Sequence, residues 1–305
     1  MRTGRDAGPR FTPAPARDIA LVVLVYVLAT VAGVTAAVLA PGPAAVQLLA
    51  ATCAATVLVY AASAITGNAS LYDPYWSLAP ILMGLGLAVA ALADGGLPNG
   101  WRAALALLLT ALYALRLTGN WLHGWRGMTH QDWRYEDIRA RTGVFWQPVN
   151  FLGIHLMPTL MTWAGTLPLV AVLAAPSRAF GVLDLLAAAV AVAGIALEAL
   201  ADAQLHRHRA TRHDATEVLD TGVWSWCRHP NYLGEILFWW GLYGFALAAD
   251  PGAWWTGAGA LAITALFVGI SIRLIENRLA ERKPAYAAYR RRVPRLLPLG
   301  ALRRG

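Results

Sequence analysis

Eight stretches of the chain are apolar for long enough to dominate any reading of it: residues 18–41, 44–65, 74–93, 101–117, 149–174, 182–203, 231–249 and 253–275. About 20 consecutive apolar residues cross the hydrocarbon core of a bilayer. Inside that core no water satisfies backbone N–H and C=O groups, so a spanning segment of this kind has to be helical. Composition agrees, with 58% hydrophobic and only 14% charged residues among 305 and a mean hydropathy of +0.49. A soluble domain has no interior large enough for that surplus. The expected fold is therefore all-α: a polytopic bundle of about eight transmembrane helices. A soluble dinucleotide-fold enzyme, a disordered regulator and a nucleic-acid binder are excluded, although a net charge of +8 and an isoelectric point near 9.9 would otherwise point to the last.

The charge follows from topology instead. Lys and Arg collect in cytoplasmic segments. With eight spans and both termini in the cytoplasm, 23 of the 25 Lys and Arg fall on one face, leaving only Arg102 and Arg178 on the other. A missed or extra span in the middle would scramble this partition. The basic N-terminal segment followed by an apolar run resembles a signal peptide, but the run is too long and no cleavage site precedes a polar domain, so it reads as an uncleaved first helix. The two cysteines, Cys53 within a span and Cys227 in a basic segment, predict neither a disulfide nor a zinc site.

Three segments on the basic face, 116–148, 204–230 and the tail from Arg273, are rich in Arg, aromatics, His, Asn and Asp. Such arginines suit bidentate recognition of phosphate, and equally suit anchoring at anionic headgroups. Asp73 begins the third span in SLYDPYW. It reads as a helix cap ahead of Pro74, and also as a partly desolvated carboxyl able to donate a proton or a hydrogen bond. Tyr113, Arg116 and Asn120 share one face of the fourth span, at the same membrane side as Asp73, so a phenol and a carboxyl are expected in one pocket. Tyr113 reads equally as an interfacial tyrosine. Glu198, Asp202, His206 and Arg209 form one stripe at the end of the sixth span. Glu198 lies within the apolar run and is either functional or paired with an arginine from another helix. His206, His208 and His213 sit in an Arg-dense stretch without cysteine, and no metal is expected there.

The densest signal is GVWSWCRHPNYLGEILFWWG, which crowds Arg228, His229, Asn231 and Tyr232 ahead of a helix containing Glu235 and Trp239. Pro230 suits the first helical turn, and a helix N-terminus favours an anion. A ligand or cofactor site is expected here.

These residues carry a resemblance. GVWSWCRHPNYLGEILFWWG, the preceding ADAQLHRHR, QDWRYEDIR and ENRLAERKPAYAAYRRRVPRLLP are similar to the bacterial membrane reductases of the steroid 5α-reductase and sterol reductase superfamily, in a branch long classed as a domain of unknown function. The likeness covers roughly 66–298. It implies a catalytic membrane domain over 66–298, preceded by a basic segment at 1–17 and helices within 18–65, and followed by a basic tail at 299–305. The family pattern has seven helices, so the first helix here is an addition.

The resemblance further implies NADPH bound at the cytoplasmic side of a bacterial inner membrane, held by Asp202, Arg209, Arg228, His229, Asn231, Tyr232, Glu235, Trp239 and Arg273, and closed by Arg116, Asn120, Arg134 and Tyr135. No GxGxxG is present, so Arg and Asn would replace the glycine turn. A lipophilic substrate would enter from the bilayer. Asp73 and Tyr113 would be the catalytic donors, stabilising charge on a carbonyl oxygen while hydride reaches the conjugated C=C bond. The family carries a Gln-Glu pair where Tyr72 and Asp73 stand, and this chain departs from it by one methylene and a following Pro74. Isoprenylcysteine and phospholipid methyltransferases have a similar HP-x-Y element, which makes an S-adenosylmethionine-dependent lipid methyltransferase the alternative. A non-enzymatic protein gripping anionic lipids is the second alternative.

Overall fold

The computed structural model describes residues 14–212, 214 and 216–297. The N-terminal segment before residue 14, His213 and the basic tail 299–305 lie outside them. Among the described residues there is no β-strand, and eight helices are long and apolar enough to cross a membrane. The protein is an all-α integral membrane bundle.

The spanning helices are α1 (Ala16–Leu39), α2 (Ala44–Thr66), α3 (Asp73–Ala93), α4 (Gly100–Gly124), α5 (Trp133–Leu173), α6 (Val182–Thr211), α7 (Pro230–Ala249) and α8 (Pro251–Arg282). A short α9 (Tyr286–Arg292) follows. All eight apolar stretches fall on these helices. Their ends at the basic side of the bundle run further than expected: α4 continues to Gly124, α6 to Thr211 and α8 to Arg282, and α5 starts at Trp133. Much of what reads as polar loop is thus helix. The reason is local: Asp132 caps α5 by accepting from the Arg134 N–H, and the charged residues beyond each apolar run are themselves compatible with helix.

Helices α5 and α8 are composite. Each contains a π-helical segment, Asn150–Leu156 in α5 and Phe267–Ser271 in α8, where the regular ladder widens by one residue.

Small residues bring α6 and α7 together. A Cβ on Gly194 would lie 2.6 Å from the Gly234 carbonyl oxygen, and one on Gly241 would lie 2.6 Å from the Ala191 nitrogen. Between apolar helices in lipid, such close backbone approach supplies the dispersion contacts that a hydrophobic effect does not. Large side chains then fill the space around the seam. Phe238, Trp239, Leu242 and Phe245 of α7 are all buried.

At the end opposite the basic face, the stray charge of Arg102 is resolved by burial with a partner. Its guanidinium is fully buried and meets the Asp184 carboxylate at 2.6 Å. It also donates to the Ser177 hydroxyl and to the carbonyls of Arg178, Ala179 and Ala248. Every face of the charge is satisfied, which is the condition for tolerating one away from water.

Candidate functional site

Helices α4, α6 and α7 bring the first constellation together at the basic end. Arg116 meets Glu198 at 2.5 Å and Asp202 at 2.9 Å. The Arg116 pairing answers the question that Glu198 posed in the sequence. One helical turn deeper, the Tyr113 hydroxyl donates to Glu235, which also accepts from the Trp239 indole at 2.8 Å. The Tyr113 ring stacks on Phe238, with centroids 3.8 Å apart and planes within 4°. One guanidinium, three carboxyls, a phenol and an indole are therefore gathered inside apolar helices, where ionisable groups are costly and mark function by default.

Beside this cluster a cavity of about 240 Å³ opens between α4 and α6, lined by Arg116, Asn120, His123, Asp202 and His206. The rings of His123 and His206 lie 4.8 Å apart. The Nε of Arg116 is buried without a hydrogen-bond partner. An unspent guanidinium donor beside a carboxylate, an amide and two imidazoles suits a phosphate and a ribose. The volume holds part of a dinucleotide rather than the whole. Among the described residues no group of three or more His, Cys, Asp or Glu could hold a metal.

The second constellation joins the start of α3 to α5. Asn68 Nδ2 donates to the carbonyls of Met128 and His130, Ala69 N–H to Gln131 and Asp132 N–H to Ser70. This zipper delivers Tyr135 to Asp73, whose carboxylate accepts from the Tyr135 hydroxyl at 2.5 Å. Arg134 folds back onto Asp132 at 2.9 Å, and Arg278 of α8 lies 3.6 Å above the Trp133 ring. No side-chain capping bond forms at the start of α3. The expected pairing is also corrected. Tyr113 meets Glu235 and Asp73 meets Tyr135, so the two residues belong to separate phenol–carboxyl pairs, because the 128–135 segment brings Tyr135 to Asp73.

The third constellation closes the C-terminal segment onto α7. Arg228 binds Glu276 at 2.8 Å and donates to the carbonyls of Arg290 and Val293, while its own N–H reaches the Pro294 carbonyl. His229 also meets Glu276, at 3.1 Å. Burial pulls the His229 imidazole below its ordinary range, against the opposing pull of Glu276. Arg228 and His229 are thus bound within the protein. Asn231 and Tyr232 follow in the first turn of α7, with Tyr232 stacked 4.8 Å from Phe267. Arg209 and Arg273 lie exposed on α6 and α8.

Sequence reasoning missed a fourth feature. His155 is fully buried in the π-helical segment of α5, its Nδ1 beside the Asn150 carbonyl at 3.0 Å and its Nε2 without a partner. Its ring packs 4.8 Å from Tyr72. Next to it runs a chain of buried hydroxyls: Tyr72 to Thr159 at 2.8 Å, Thr159 to Thr56 at 2.8 Å, and Thr56 to Tyr75 at 3.4 Å. A histidine between Pro148 and Pro158 inside an apolar run was the available signal.

Comparison with known proteins gives one family. The profile described as a protein of unknown function (DUF1295) matches residues 59–293. An uncharacterized protein of Schizosaccharomyces pombe (strain 972) is 29% identical over 270 residues, covering 79% of this chain and 76% of its own length. No solved structure matches.

Proposed function

The chain belongs to the family described as proteins of unknown function (DUF1295), and we propose from its site that it is an NADPH-dependent membrane reductase of a C=C bond conjugated to a carbonyl in a lipophilic substrate. The observation that carries this reading is the polar cluster of Tyr113, Arg116, Glu198, Asp202 and Glu235 inside the helices, open through the cavity beside Asn120. Its support from sequence is the resemblance to the steroid and sterol reductases already described. The proposal places the basic face, both termini and the nucleotide in the cytoplasm of a bacterial inner membrane.

Arg116, Asn120, His123, Asp202 and His206 would hold the phosphate and ribose portion. NADPH, when bound, supplies the hydride that reduces the β-carbon. Electrons would then shift from the C=C bond onto the carbonyl oxygen, and as they return the α-carbon would take a proton from a protonated phenol–carboxyl pair, which solvent restores after product release, completing the CH–CH product. The protein's part is to stabilise the developing oxyanion and to exclude water. Phenol–carboxyl pairs are suited to the first task when the carboxyl is protonated, because the pair then has one O–H to spare for the oxyanion, and a donor preoriented in a dry site is worth more than in water. Asp73 with Tyr135, and Tyr113 with Glu235, are the two such pairs. Arg228, His229 and Glu276 lock the C-terminal segment over the start of α7 and so position Asn231 and Tyr232.

The test is thermal stabilisation of the purified protein by NADPH, NADH and S-adenosylmethionine in parallel, since a ligand that binds only the folded state raises Tm by mass action. A shift with NADPH supports the reductase. A shift with S-adenosylmethionine alone makes the protein a lipid methyltransferase, and no shift with any nucleotide favours the lipid-gripping alternative.

A further inference from the structure

A second, much larger cavity of about 1040 Å³ lies between α1, α2 and α3, and contains none of the cofactor-site residues. Residues of α3 line it from Tyr75 to Ala93, and Asp94 at the end of the helix continues the wall. At 1.5 Å per residue that is roughly 28 Å of helix, nearly the thickness of the hydrocarbon core. The other two walls are shorter, Ala29 to Val38 of α1 and Ala44 to Ala55 of α2, so the cavity is a cleft with α3 as its long wall. Its walls are mostly alanine, glycine, leucine and valine, and its polar side chains are few: Thr30, Gln47, Thr52, Tyr75 and Asp94.

The Tyr75 end is chemically distinct. The Tyr75 hydroxyl donates to the Thr52 carbonyl at 3.1 Å and lies 3.3 Å from the Thr52 hydroxyl and 3.4 Å from that of Thr56. The two hydroxyl contacts are long and readily exchanged for a ligand oxygen. Through Thr56 and Thr159 the same hydroxyl connects to Tyr72, the residue before Asp73.

From this we infer that the cleft binds one extended hydrocarbon chain, acyl or polyprenyl, with its oxygen-bearing end at Tyr75 and Thr52. An apolar cleft that follows α3 from Tyr75 to Asp94 suits an extended chain, whereas a compact fused-ring body would occupy only part of that wall. The wall contributed by α1 lies outside the residues matched by the family, 59–293, so the cleft depends on a helix that the matched region does not contain. As a statement about substrate class the inference rests on the reductase reading; as a binding site it rests on the cleft alone.

Gly86 provides the probe. It lines the cleft, and a Cβ added there meets nothing within 4 Å. Gly86→Phe thus fills the cleft without a clash at the backbone. The experiment is equilibrium binding of tritiated hexadecan-1-ol to the full-length protein in phosphatidylcholine nanodiscs, with geranylgeraniol, hexadecane and progesterone as competitors. Expected are saturable binding, displacement by geranylgeraniol but not by progesterone, a loss of about tenfold or more in Gly86→Phe, and a weakening of about tenfold in Tyr75→Phe, the worth of one net hydrogen bond. Tyr75→Phe leaves hexadecane competition unchanged. Equal displacement by progesterone overturns the chain assignment. Binding indifferent to Gly86→Phe with an unchanged melting temperature overturns the cleft and reports lipid at the bundle surface only. NADPH stabilisation measured on the same samples separates the two readings. Chain binding without it leaves the cleft standing and removes the reductase, whereas NADPH stabilisation without chain binding does the reverse.

Discussion

The Tyr135 hydroxyl donates to the Asp73 carboxylate at 2.5 Å, joining α5 to the start of α3 across 62 residues of sequence. The bond exists because Asn68, Ser70 and Gln131 zip the intervening segment into place. Asp73 is therefore a positioned group, and its removal separates binding from chemistry. Asp73→Ala is expected to lower turnover of a conjugated carbonyl substrate by about 100-fold or more, in the range of a lost oxyanion donor, while NADPH-induced stabilisation stays nearly intact. Tyr135→Phe should show the same pattern more weakly. Equal loss of nucleotide binding and turnover would sink the assignment.

Tyr113 is tested through its own partner. Tyr113→Phe removes the donor to Glu235 but keeps the ring stacked on Phe238. A cost of about 1–3 kcal/mol is expected from the buried acceptor losing one of its two donors. The readout is turnover in a variant whose melting temperature is recorded alongside; a fall in stability with turnover per folded molecule unchanged would make the residue structural.

Arg116 compensates Glu198 and Asp202 together. Arg116→Met should destabilise the protein by about 3–5 kcal/mol, the usual result of stranding a buried charge, and abolish stabilisation by NADPH. Adding Glu198→Gln should recover part of the stability and none of the nucleotide effect. Chemical denaturation of the single and double variants measures the first, and the NADPH shift measures the second.

The Arg102–Asp184 pair offers a contrast remote from the cluster. Either Arg102→Met or Asp184→Leu alone should cost about 3–5 kcal/mol, and the double variant much less, because a buried ion pair is replaceable by apolar volume while a half pair is not. Nucleotide binding should survive in the double variant. A double variant as unstable as the singles would show that the carbonyl contacts of Arg102, and not the pair, hold that end of the bundle.

His229 gives the bundle a pH dependence. Burial holds its folded-state pKa below the ordinary value. As pH falls below about 6.5, the unfolded chain therefore takes up a proton before the folded protein does. Stability rises with pH where the unfolded state binds more protons. The His229 contribution is thus complete above that value and lost progressively as pH falls toward the lower folded value. Denaturant midpoints from pH 7.5 to 5 should decline, and His229→Gln should flatten the decline.

Much was already written in the order of residues. The eight spans and the gathering of Arg116, Arg134 and Arg228 at one end of the bundle follow from hydrocarbon thickness and from the asymmetry of Lys and Arg, both of which act on each segment independently of its neighbours. That Glu198, inside an apolar run, would pair with an arginine was one of the two readings open in the sequence, and the structure has it with Arg116. Partner choice was not. Whether Tyr113 would meet Asp73 or Glu235, whether Arg228 would face a ligand or Glu276, and that His155 would lie beside a run of hydroxyls ending at an apolar cleft, all depend on helix rotation and on the zipper between 68–73 and 128–135. Those are settled by packing among helices far apart in sequence, since a buried donor takes whichever acceptor the assembled bundle brings within 3 Å, and no local pattern records which one that is.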